Sequence, residues 1–358
     1  MNFVLRQLKL REWLDAHKLD ALLVTHLPNV RYLCGFTGSA GNLLVTRRAS
    51  SFFTDGRYTG QARAEVKGAR IVVPKVPTML GAAAFVGRTD AQTVGVEAEH
   101  MTVATRSALR RMLPAGLRLR ETQGVVEELR KLKDPDELSL LREAVIAGSK
   151  LMKPALNAIR PGASEQAVAA EIEYAARSAG AEAMSFETIV ASGVRSALPH
   201  GVASRSPIAR KGFVVLDFGV ILQGYCSDMT RTVHVGKVGS DDRRMYEAVL
   251  EAQLAAVAAV APGVEAGQVD AAARSTLRKA KLDKYFTHST GHGVGLEIHE
   301  KPRIGRGQRD VLLPGMVITI EPGVYVPGRA GVRIEDMVVV TERGCQVLTP
   351  ATKDLIEL

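Results

Sequence analysis

The 358-residue sequence contains little cysteine, few aromatic residues and no long apolar segment. Its three cysteines, Cys34, Cys226 and Cys345, lie far apart and never form a Cys-x-x-Cys pair, which argues against a disulfide framework and a thiolate zinc site. The longest apolar run, residues 254–261, is much shorter than the roughly 20 residues that a membrane span requires. We therefore expect a chain that does not enter a membrane.

The first 20 residues lack the continuous apolar stretch of a secretory signal, because charged side chains such as Arg6 and Lys9 interrupt it at helical spacing. We therefore expect a cytoplasmic protein. Basic residues exceed acidic ones by 47 to 38, and the resulting net charge of +9 could indicate a nucleic-acid partner. The basic residues are spread along the whole chain, however, and aromatic residues make up only 5% of it, so we expect no such partner.

Length and composition predict two domains. A chain of 358 residues exceeds the roughly 250–300 residues at which one hydrophobic core stops growing, and 46% apolar residues can form real cores. Strand patterns at residues 21–25, 42–46, 51–54 and 69–73 alternate with helical stretches and predict an N-terminal α/β domain. A long helix should begin at Pro135 after the N-cap residue Asp134. We divide the chain into residues 1–125 and 126–358.

The second part of the chain contains a weak internal repeat. In each copy a helix ends at a Pro-Gly turn, marked by Pro161 and Pro262, and a second helix and a strand-rich stretch follow. Each strand-rich stretch holds two isolated carboxylates, Asp217 and Asp228 in the first copy and Glu321 and Glu335 in the second. The first carboxylate follows the proline by 56 residues (217 − 161) in one copy and by 59 (321 − 262) in the other. The repeat predicts two α/β halves that face each other across a shared cleft.

The carboxylates of the first copy lie in two apolar strand patterns. If the chain turns at Leu222 and Gln223, Asp217 and Asp228 become directly opposed on antiparallel strands, with Cβ atoms about 4.5–5.5 Å apart. Like charges at that distance destabilise a sheet, and a buried unpaired carboxylate costs several kcal/mol. Any one of the four carboxylates could face solvent on a half-exposed strand, but four at matching positions indicate a compensating cation.

The segment HSTGHGVGLEIHE, residues 288–300, holds three of the eight histidines. Histidines at i and i+4 would suit a zinc site on a helix, but each glycine in this segment would cost a helix interior about 1 kcal/mol. A loop that runs into a strand is therefore favoured. His292, at the glycine-flanked centre, is the best candidate for a metal ligand, and a chance cluster of core histidines is the alternative.

Carboxylates with one imidazole suit hard or borderline divalent ions, and four carboxylates carry too much negative charge for one ion. Two ions about 3.5–4 Å apart fit better, because they can hold and acidify a bridging water. We therefore predict two divalent metal ions per chain. We expect Mn²⁺, with Co²⁺, Zn²⁺ and Fe²⁺ as alternatives.

These motifs resemble those of the metallopeptidases with the pita-bread fold, in particular the Xaa-Pro branch of aminopeptidases P and prolidases. The histidine segment matches that branch throughout, and its metal ligands lie in the motifs SDMTRT, TIEPG and RIED. RYLCGFTGSAG and FTDGRY resemble its N-terminal domain. The resemblance implies a creatinase-like α/β domain over residues 1–125 and a pita-bread α+β catalytic domain with a pseudo-two-fold internal repeat over residues 126–358.

The resemblance also implies a role for each matching residue. The metal ligands would be Asp217, Asp228, His292, Glu321 and Glu335, and Glu321 would also act as the general base. The other catalytic residues would be His200 and His299, which steady the substrate and the tetrahedral intermediate. The substrate-binding group would be His288, which lines the pocket, Arg303, at the place of a carboxylate-binding arginine in some dipeptidases, and Arg333, which supports the site.

Two activities of the Xaa-Pro branch remain in competition. The short chain and the FTGSAG and DGRY phrases favour an aminopeptidase P, which removes one residue from peptides of varied length. Arg303 favours a prolidase, which accepts only Xaa-Pro dipeptides. We expect an aminopeptidase P that acts on proline-containing peptides and forms a homodimer, with prolidase as the alternative and a non-catalytic pita-bread binding module as a remote one. Methionine aminopeptidases usually lack the first domain, and creatinase-type relatives lack the metal ligands.

Overall fold

The computed structural model describes residues 1–358, which divide into two compact units, Met1–Arg130 and Lys131–Leu358. The elements of the first unit are α1 (Phe3–Ala16), β1 (Ala21–Val24), α2 (Leu27–Cys34), β2 (Asn42–Thr46), β3 (Ser50–Phe53), α3 (Thr59–Glu65), β4 (Arg70–Val72), α4 (Thr78–Val86), β5 (Thr93–Glu97), α5 (Val103–Met112), β6 (Arg118–Thr122) and α6 (Val125–Arg130). The strands form one sheet in the order β4-β3-β2-β1-β5-β6. The predicted α/β fold of this part of the chain is confirmed.

Strand β1 is fully buried, as its continuous apolar sequence predicts for a central strand of a sheet covered on both faces. It pairs in parallel with β5 and antiparallel with β2. Leu23 of β1 packs in one core cluster with Val94 and Val96 of β5 and with Leu109 of α5. The first unit therefore has a hydrophobic core of its own.

The elements of the second unit are α7 (Pro135–Lys150), α8 (Met152–Ala158), α9 (Glu165–Ser178), β7 (Ala183–Met184), β8 (Ile189–Ser192), β9 (Gly212–Phe218), β10 (Val220–Leu222), β11 (Tyr225–Cys226), β12 (Met229–Val235), α10 (Ser240–Ala259), α11 (Ala266–Lys279), β13 (Gly291–Gly293), β14 (Glu300–Ile304), β15 (Val317–Ile320), β16 (Gly323–Val326), β17 (Ala330–Arg333), β18 (Asp336–Thr341) and β19 (Gly344–Val347). Its sheets have the orders β11-β10-β7, β12-β9-β8, β14-β13-β15-β18-β19 and β16-β17. No helix of the chain has both the length and the apolar surface that a membrane crossing requires.

Helix α7 begins where the sequence predicts it. The side chain of Asp134 accepts a hydrogen bond from the backbone N–H of Glu137, and the Glu137 side chain accepts one from the backbone N–H of Asp134. This reciprocal capping satisfies two backbone donors at the helix start, where Pro135 needs none.

The two halves of the second unit repeat the same pattern. Helices α8 and α9 flank the Pro-Gly turn at Pro161, and helices α10 and α11 flank the turn at Pro262. The residue that precedes the second helix of each pair bridges to a later loop, Ser164 to Pro207 in one half and Glu265 to Val311 in the other. A core cluster lies in each half, one with Val168 and Leu216 and the other with Val269 and Ile318. The predicted internal repeat is therefore present in the fold.

The hairpin after Asp217 has a different register from the predicted one. Leu222 pairs with Tyr225, so the turn residues are Gln223 and Gly224, with φ angles of 48° and 80°. Two central residues with positive φ are typical of the type I′ turn that joins antiparallel strands, and the predicted turn one residue earlier would have required this conformation of Leu222. As a consequence Asp217 lies opposite Thr230 and not opposite Asp228. The shift of two residues keeps both aspartates on the same face, because side chains alternate with a period of two.

Candidate metal centre

Four of the five predicted metal ligands meet at one place in the second unit. The ligand atoms of Asp228, His292 and Glu335 lie within 4.8 Å of one another. Nε2 of His292 is 3.6 Å from Oδ2 of Asp228 and 3.6 Å from Oε1 of Glu321. Side chains from both halves of the internal repeat therefore converge, as the shared cleft predicts.

Three of the carboxylates lie at breaks between strands and not inside them as predicted. Asp228 separates β11 from β12, Glu321 separates β15 from β16, and Glu335 separates β17 from β18. At these breaks the backbone bonds to residues outside its own strand pairs: the N–H of Glu321 donates to the carbonyl of Thr290, just before β13, at 2.7 Å, and that of Glu335 donates to the carbonyl of Thr230, on β12, at 3.1 Å. The second bond joins one half of the repeat to the other. The ligands thus lie where the chain crosses between sheets.

Arg333 connects the fifth predicted ligand, Asp217, to this cluster. Its guanidinium donates to Oδ2 of Asp217 at 2.5 Å and to Oγ1 of Thr230 at 3.0 Å. Thr230 in turn donates to Oε2 of Glu335 at 2.7 Å. Because Asp217, Thr230, Arg333 and Glu335 are all buried, these bonds set the orientation of two carboxylates.

Burial and mutual repulsion oppose ionisation of the cluster. Burial, followed by the charge of Glu335, raises the pKa of Asp228 well above its ordinary value. Burial, followed by the charge of Glu321, does the same to the pKa of Glu335. Burial raises the pKa of Glu321 to about 7 even though the charge of Arg333 opposes the shift. One guanidinium therefore does not compensate the carboxylates, and a further cation is required to keep them ionised.

The donor atoms fit a divalent metal ion. Oδ1 of Asp217 is buried without a hydrogen-bond partner, so a strong acceptor is left unsatisfied. Besides burial, the charge of Asp217 helps to raise the pKa of Asp228, Glu321 and Glu335, which places this carboxylate near the cluster. Nδ1 of His292 lies 3.0 Å from the carbonyl oxygen of Gly293, to which it donates, and this leaves the lone pair of Nε2 directed at the carboxylates. Burial lowers the pKa of His292, which favours the neutral ring that a metal ion binds.

His288, which the sequence predicts to line the substrate pocket, lies beside the cluster. Its Nδ1 is 4.0 Å from Oε2 of Glu321 and 2.8 Å from the carbonyl oxygen of Ser289. Burial, followed by the charge of Arg333, lowers its pKa to about 3, so the ring is neutral near pH 7. Nδ1 therefore donates to Ser289, and Nε2 accepts from the hydroxyl of Tyr325 at 3.0 Å.

The sequence motifs did not single out Tyr325 or Thr230. The hydroxyl of Tyr325 accepts a hydrogen bond from Arg333 and donates one to His288, so it joins the two residues. Tyr325 lies on β16, whereas Glu321 lies at the break before that strand, so strand alternation does not relate the two positions. The role of Tyr325 follows only from its contacts in the folded chain.

His200 and His299 are more exposed than the metal-ligand candidates. The ring of His299 lies edge-on to that of His292, with centroids 4.4 Å apart. His200 lies in the loop between β8 and β9, and the carbonyl of the preceding Pro199 accepts a hydrogen bond from Arg333. The charge of His200 contributes to lowering the pKa of His299, after burial and the charge of His292. Both rings are thus close to the cluster and open to a substrate.

Arg303 lies on β14 directly opposite His292 of β13. Opposed residues of antiparallel strands are about 5 Å apart and share a face, so the arginine is next to the metal-ligand candidate. Its side chain is exposed and lines a cavity of about 440 Å³ together with His288.

Comparison with known proteins agrees with this arrangement. Residues 139–342 match metallopeptidase family M24, and residues 6–132 match the creatinase/prolidase N-terminal domain. A Xaa-Pro dipeptidase of Pyrococcus horikoshii is 37% identical over 97% of this chain and 97% of its own. The structure of a Xaa-Pro dipeptidase from Bacillus anthracis superposes with a TM-score of 0.97 at 41% identity, with complete coverage of both chains. That of an X-Pro aminopeptidase from Thermotoga maritima superposes with a TM-score of 0.90 at 32% identity, over 95% of this chain and 98% of its own.

The fold, the convergence of carboxylates with one histidine, and these similarities over the whole length of the chain lead to one conclusion. Metallopeptidases of this family use divalent metal ions. The chain belongs to metallopeptidase family M24 and is a peptidase that combines a creatinase/prolidase N-terminal domain with a pita-bread catalytic domain.

Proposed function

We propose that this enzyme is a Xaa-Pro dipeptidase, which hydrolyses the bond before proline in a dipeptide. The position of Arg303 carries the proposal: it lies opposite His292, is exposed, and shares a cavity with His288. In a dipeptide the free carboxylate belongs to the proline itself, one residue from the scissile bond. An arginine one strand away from a metal ligand is at a suitable distance to bind it.

Prolidase, the alternative in the sequence analysis, thus replaces aminopeptidase P as the first candidate activity. The sequence phrases favoured aminopeptidase P, whereas the Pyrococcus horikoshii and Bacillus anthracis proteins, both similar over nearly the whole chain, are named Xaa-Pro dipeptidases. The Thermotoga maritima X-Pro aminopeptidase is also similar, at lower identity. Aminopeptidase P therefore becomes the second candidate.

The proposed ligands are Asp217, Asp228, His292, Glu321 and Glu335. Two divalent ions bound there would acidify the attacking water and polarise the scissile carbonyl. Arg333 holds Oδ2 of Asp217, which leaves Oδ1 without a hydrogen bond, so this oxygen would be able to bind an ion.

Glu321 is the proposed general base. Its Oε1 lies 3.6 Å from Nε2 of His292, so the carboxylate borders the proposed metal site. A carboxylate at that place can take a proton from the attacking water and return it to the departing nitrogen of proline, which a tertiary amide requires. His200 and His299, both exposed beside the cluster, are proposed to donate hydrogen bonds to the substrate carbonyl and to the tetrahedral intermediate.

Neutral His288 lines the cavity in which the proline ring would lie, and Arg303 is proposed to bind the proline carboxylate. This contact would position the scissile bond with respect to Glu321. A longer peptide has a neutral amide at that position, so the same contact would select dipeptides.

The decisive experiment compares kcat/KM for Ala-Pro, Ala-Pro-Ala and Ala-Ala with Mn²⁺ added. The proposal expects Ala-Pro to be cleaved at least about tenfold more efficiently than Ala-Pro-Ala, and Ala-Ala to be a poor substrate. Equal or faster cleavage of Ala-Pro-Ala would assign the enzyme to aminopeptidase P. Preparations of the Glu321→Gln variant serve as the control for contaminating peptidases.

A further inference from the structure

The cavity next to the proposed metal site is unusually rich in cations. Its lining contains four basic side chains, Arg274, Lys284, Arg303 and Arg306, and one acidic side chain, Asp283. A cavity with such an excess of one charge sign concentrates ligands of the opposite sign.

Most of this positive charge is not compensated within the chain. Arg274 pairs with Asp270 at 2.7 Å, and Asp283 pairs with Arg278 at 3.3 Å. The side chains of Arg303 and Arg306 form no hydrogen bond or ion pair, and that of Lys284 only lies over the ring of Tyr285, 4.9 Å from its centroid. Three cations therefore face the same cavity without a carboxylate partner.

A dipeptide supplies one carboxylate, which the proposed function places on Arg303. Arg306 follows Arg303 by three residues, in the turn after β14, and Lys284 approaches from the short helical turn Asp283–Tyr285. The cavity of about 440 Å³ has room for more than a proline ring. A peptide backbone advances about 3.3 Å per residue, so one more residue carries the terminal carboxylate past Arg303 into this part of the cavity.

We infer that Arg306 and Lys284 form a second carboxylate-binding position, which takes the C-terminal carboxylate of a tripeptide Xaa-Pro-Yaa. The inference rests on the proposed function, because Arg303 is assigned there to the dipeptide carboxylate. The two positions distinguish peptides by length: the carboxylate of a dipeptide binds to Arg303, and that of a tripeptide binds to Arg306 and Lys284. A peptide without a nearby carboxylate binds at neither.

The test compares the free acid Ala-Pro-Ala with its C-terminal amide, which has the same length and no charge. The wild-type enzyme should prefer the acid by about 5- to 20-fold in kcat/KM, as expected for a charge-assisted contact near the surface. In the double variant Lys284→Gln/Arg306→Gln this preference should fall below about twofold. Arg309→Gln removes a neighbouring exposed arginine that does not line the cavity and should retain the preference.

Binding gives a second readout that does not depend on turnover. Calorimetric titration of the acid and the amide into the inactive Glu321→Gln enzyme, with and without the double substitution, should show the same loss of discrimination. Equal affinity of the wild-type site for acid and amide would overturn the inference, as would a double variant that still prefers the acid. If Ala-Pro is not cleaved but the tripeptide preference behaves as stated, the proposed function fails and the second carboxylate position stands.

Discussion

Arg333 donates a hydrogen bond to one oxygen of Asp217, while the other oxygen of the same carboxylate is buried without a partner. The arginine thus holds one oxygen of Asp217 and leaves the other, a strong acceptor, unsatisfied. An isolated buried acceptor of this kind costs free energy unless a cation or donor satisfies it. In this site a metal ion is the partner that the donor atoms suit.

The metal centre gives the first prediction. The purified protein should bind two divalent ions per chain and lose peptidase activity with a chelator. Asp228→Ala removes a carboxylate shared by the cluster and should lower the metal content measured by mass spectrometry. Asp241→Ala, which removes an exposed carboxylate at the start of α10, should leave it unchanged. A wild-type protein that holds no ions, together with an Asp228→Ala variant of equal stability, would show that the site is misassigned.

The second prediction concerns the proposed general base. Glu321→Gln keeps the shape of the side chain but removes its ability to take a proton, so kcat should fall by about 100-fold or more while KM changes little. Metal content must be measured in the same preparation, because Glu321 is also a proposed ligand. An unchanged kcat would remove Glu321 from the mechanism.

The third prediction is a pH dependence of the metal-free protein. The folded-state pKa values of Asp228, Glu335 and Glu321 are raised above their ordinary values, the last to about 7. A carboxyl group whose pKa is higher in the folded than in the unfolded state stabilises the fold fully at pH values below its unfolded-state pKa, near 4. This contribution to the free energy of unfolding is lost as the pH rises through the folded-state pKa. The melting temperature of the chelated protein should therefore fall between about pH 5 and pH 8. Added Mn²⁺ should raise it more at the higher pH.

A variant separates the cluster from the other titratable groups in that measurement. Asp228→Asn/Glu335→Gln replaces two of the three carboxylates with amides that cannot ionise. The chelated double variant should show a flatter dependence of melting temperature on pH and a weak response to Mn²⁺. Parallel profiles for the two chelated proteins would show that the cluster does not control this dependence.

The fourth prediction tests Arg303. A bidentate contact between arginine and carboxylate contributes about 1.5–3 kcal/mol, so Arg303→Ala should lower kcat/KM for Ala-Pro by about 10- to 100-fold. The loss for the amide of Ala-Pro-Ala should be much smaller, because that peptide has no carboxylate to bind. Arg309→Ala is the matched control. Equal small losses for both substrates would mean that Arg303 is only a solvated residue at the rim, as an aminopeptidase P would allow.

The fifth prediction concerns Tyr325, which joins His288 to Arg333. The hydroxyl of Tyr325 donates a hydrogen bond to His288 and accepts one from Arg333, and Tyr325→Phe removes both bonds. A lost buried hydrogen bond costs about 1–2 kcal/mol, so kcat/KM for Ala-Pro should fall roughly 5- to 30-fold. The metal content should not change, since none of the proposed ligands bonds to this hydroxyl. Full activity would show that His288 is held by Ser289 alone.

The sequence by itself predicted the elements that depend on local chemistry. The start of α7 follows from Asp134, Pro135 and Glu137, three neighbouring residues whose capping bonds need no distant partner. The α/β pattern of the first unit and the two helix pairs around Pro161 and Pro262 follow from apolar periodicity and Pro-Gly turns. The five ligand candidates could also be predicted from the sequence, because the two halves repeat and the motifs around these residues match those of a known family.

The tertiary structure decided the relationships between residues far apart in the chain. The register of Asp217 and Asp228 depends on which two residues adopt positive φ, and Gly224 rather than Leu222 does so because it has no Cβ. Arg333 contacts Asp217 and Thr230, which lie about 100 positions before it in the chain, and this arrangement leaves one oxygen of Asp217 without a hydrogen bond. Arg333 contacts Tyr325 across the turn from β16 to β17. Arg303 lies opposite His292 only because β14 pairs with β13. Local patterns specify which residues form helices and strands, whereas hydrogen bonds across sheets specify which side chains meet.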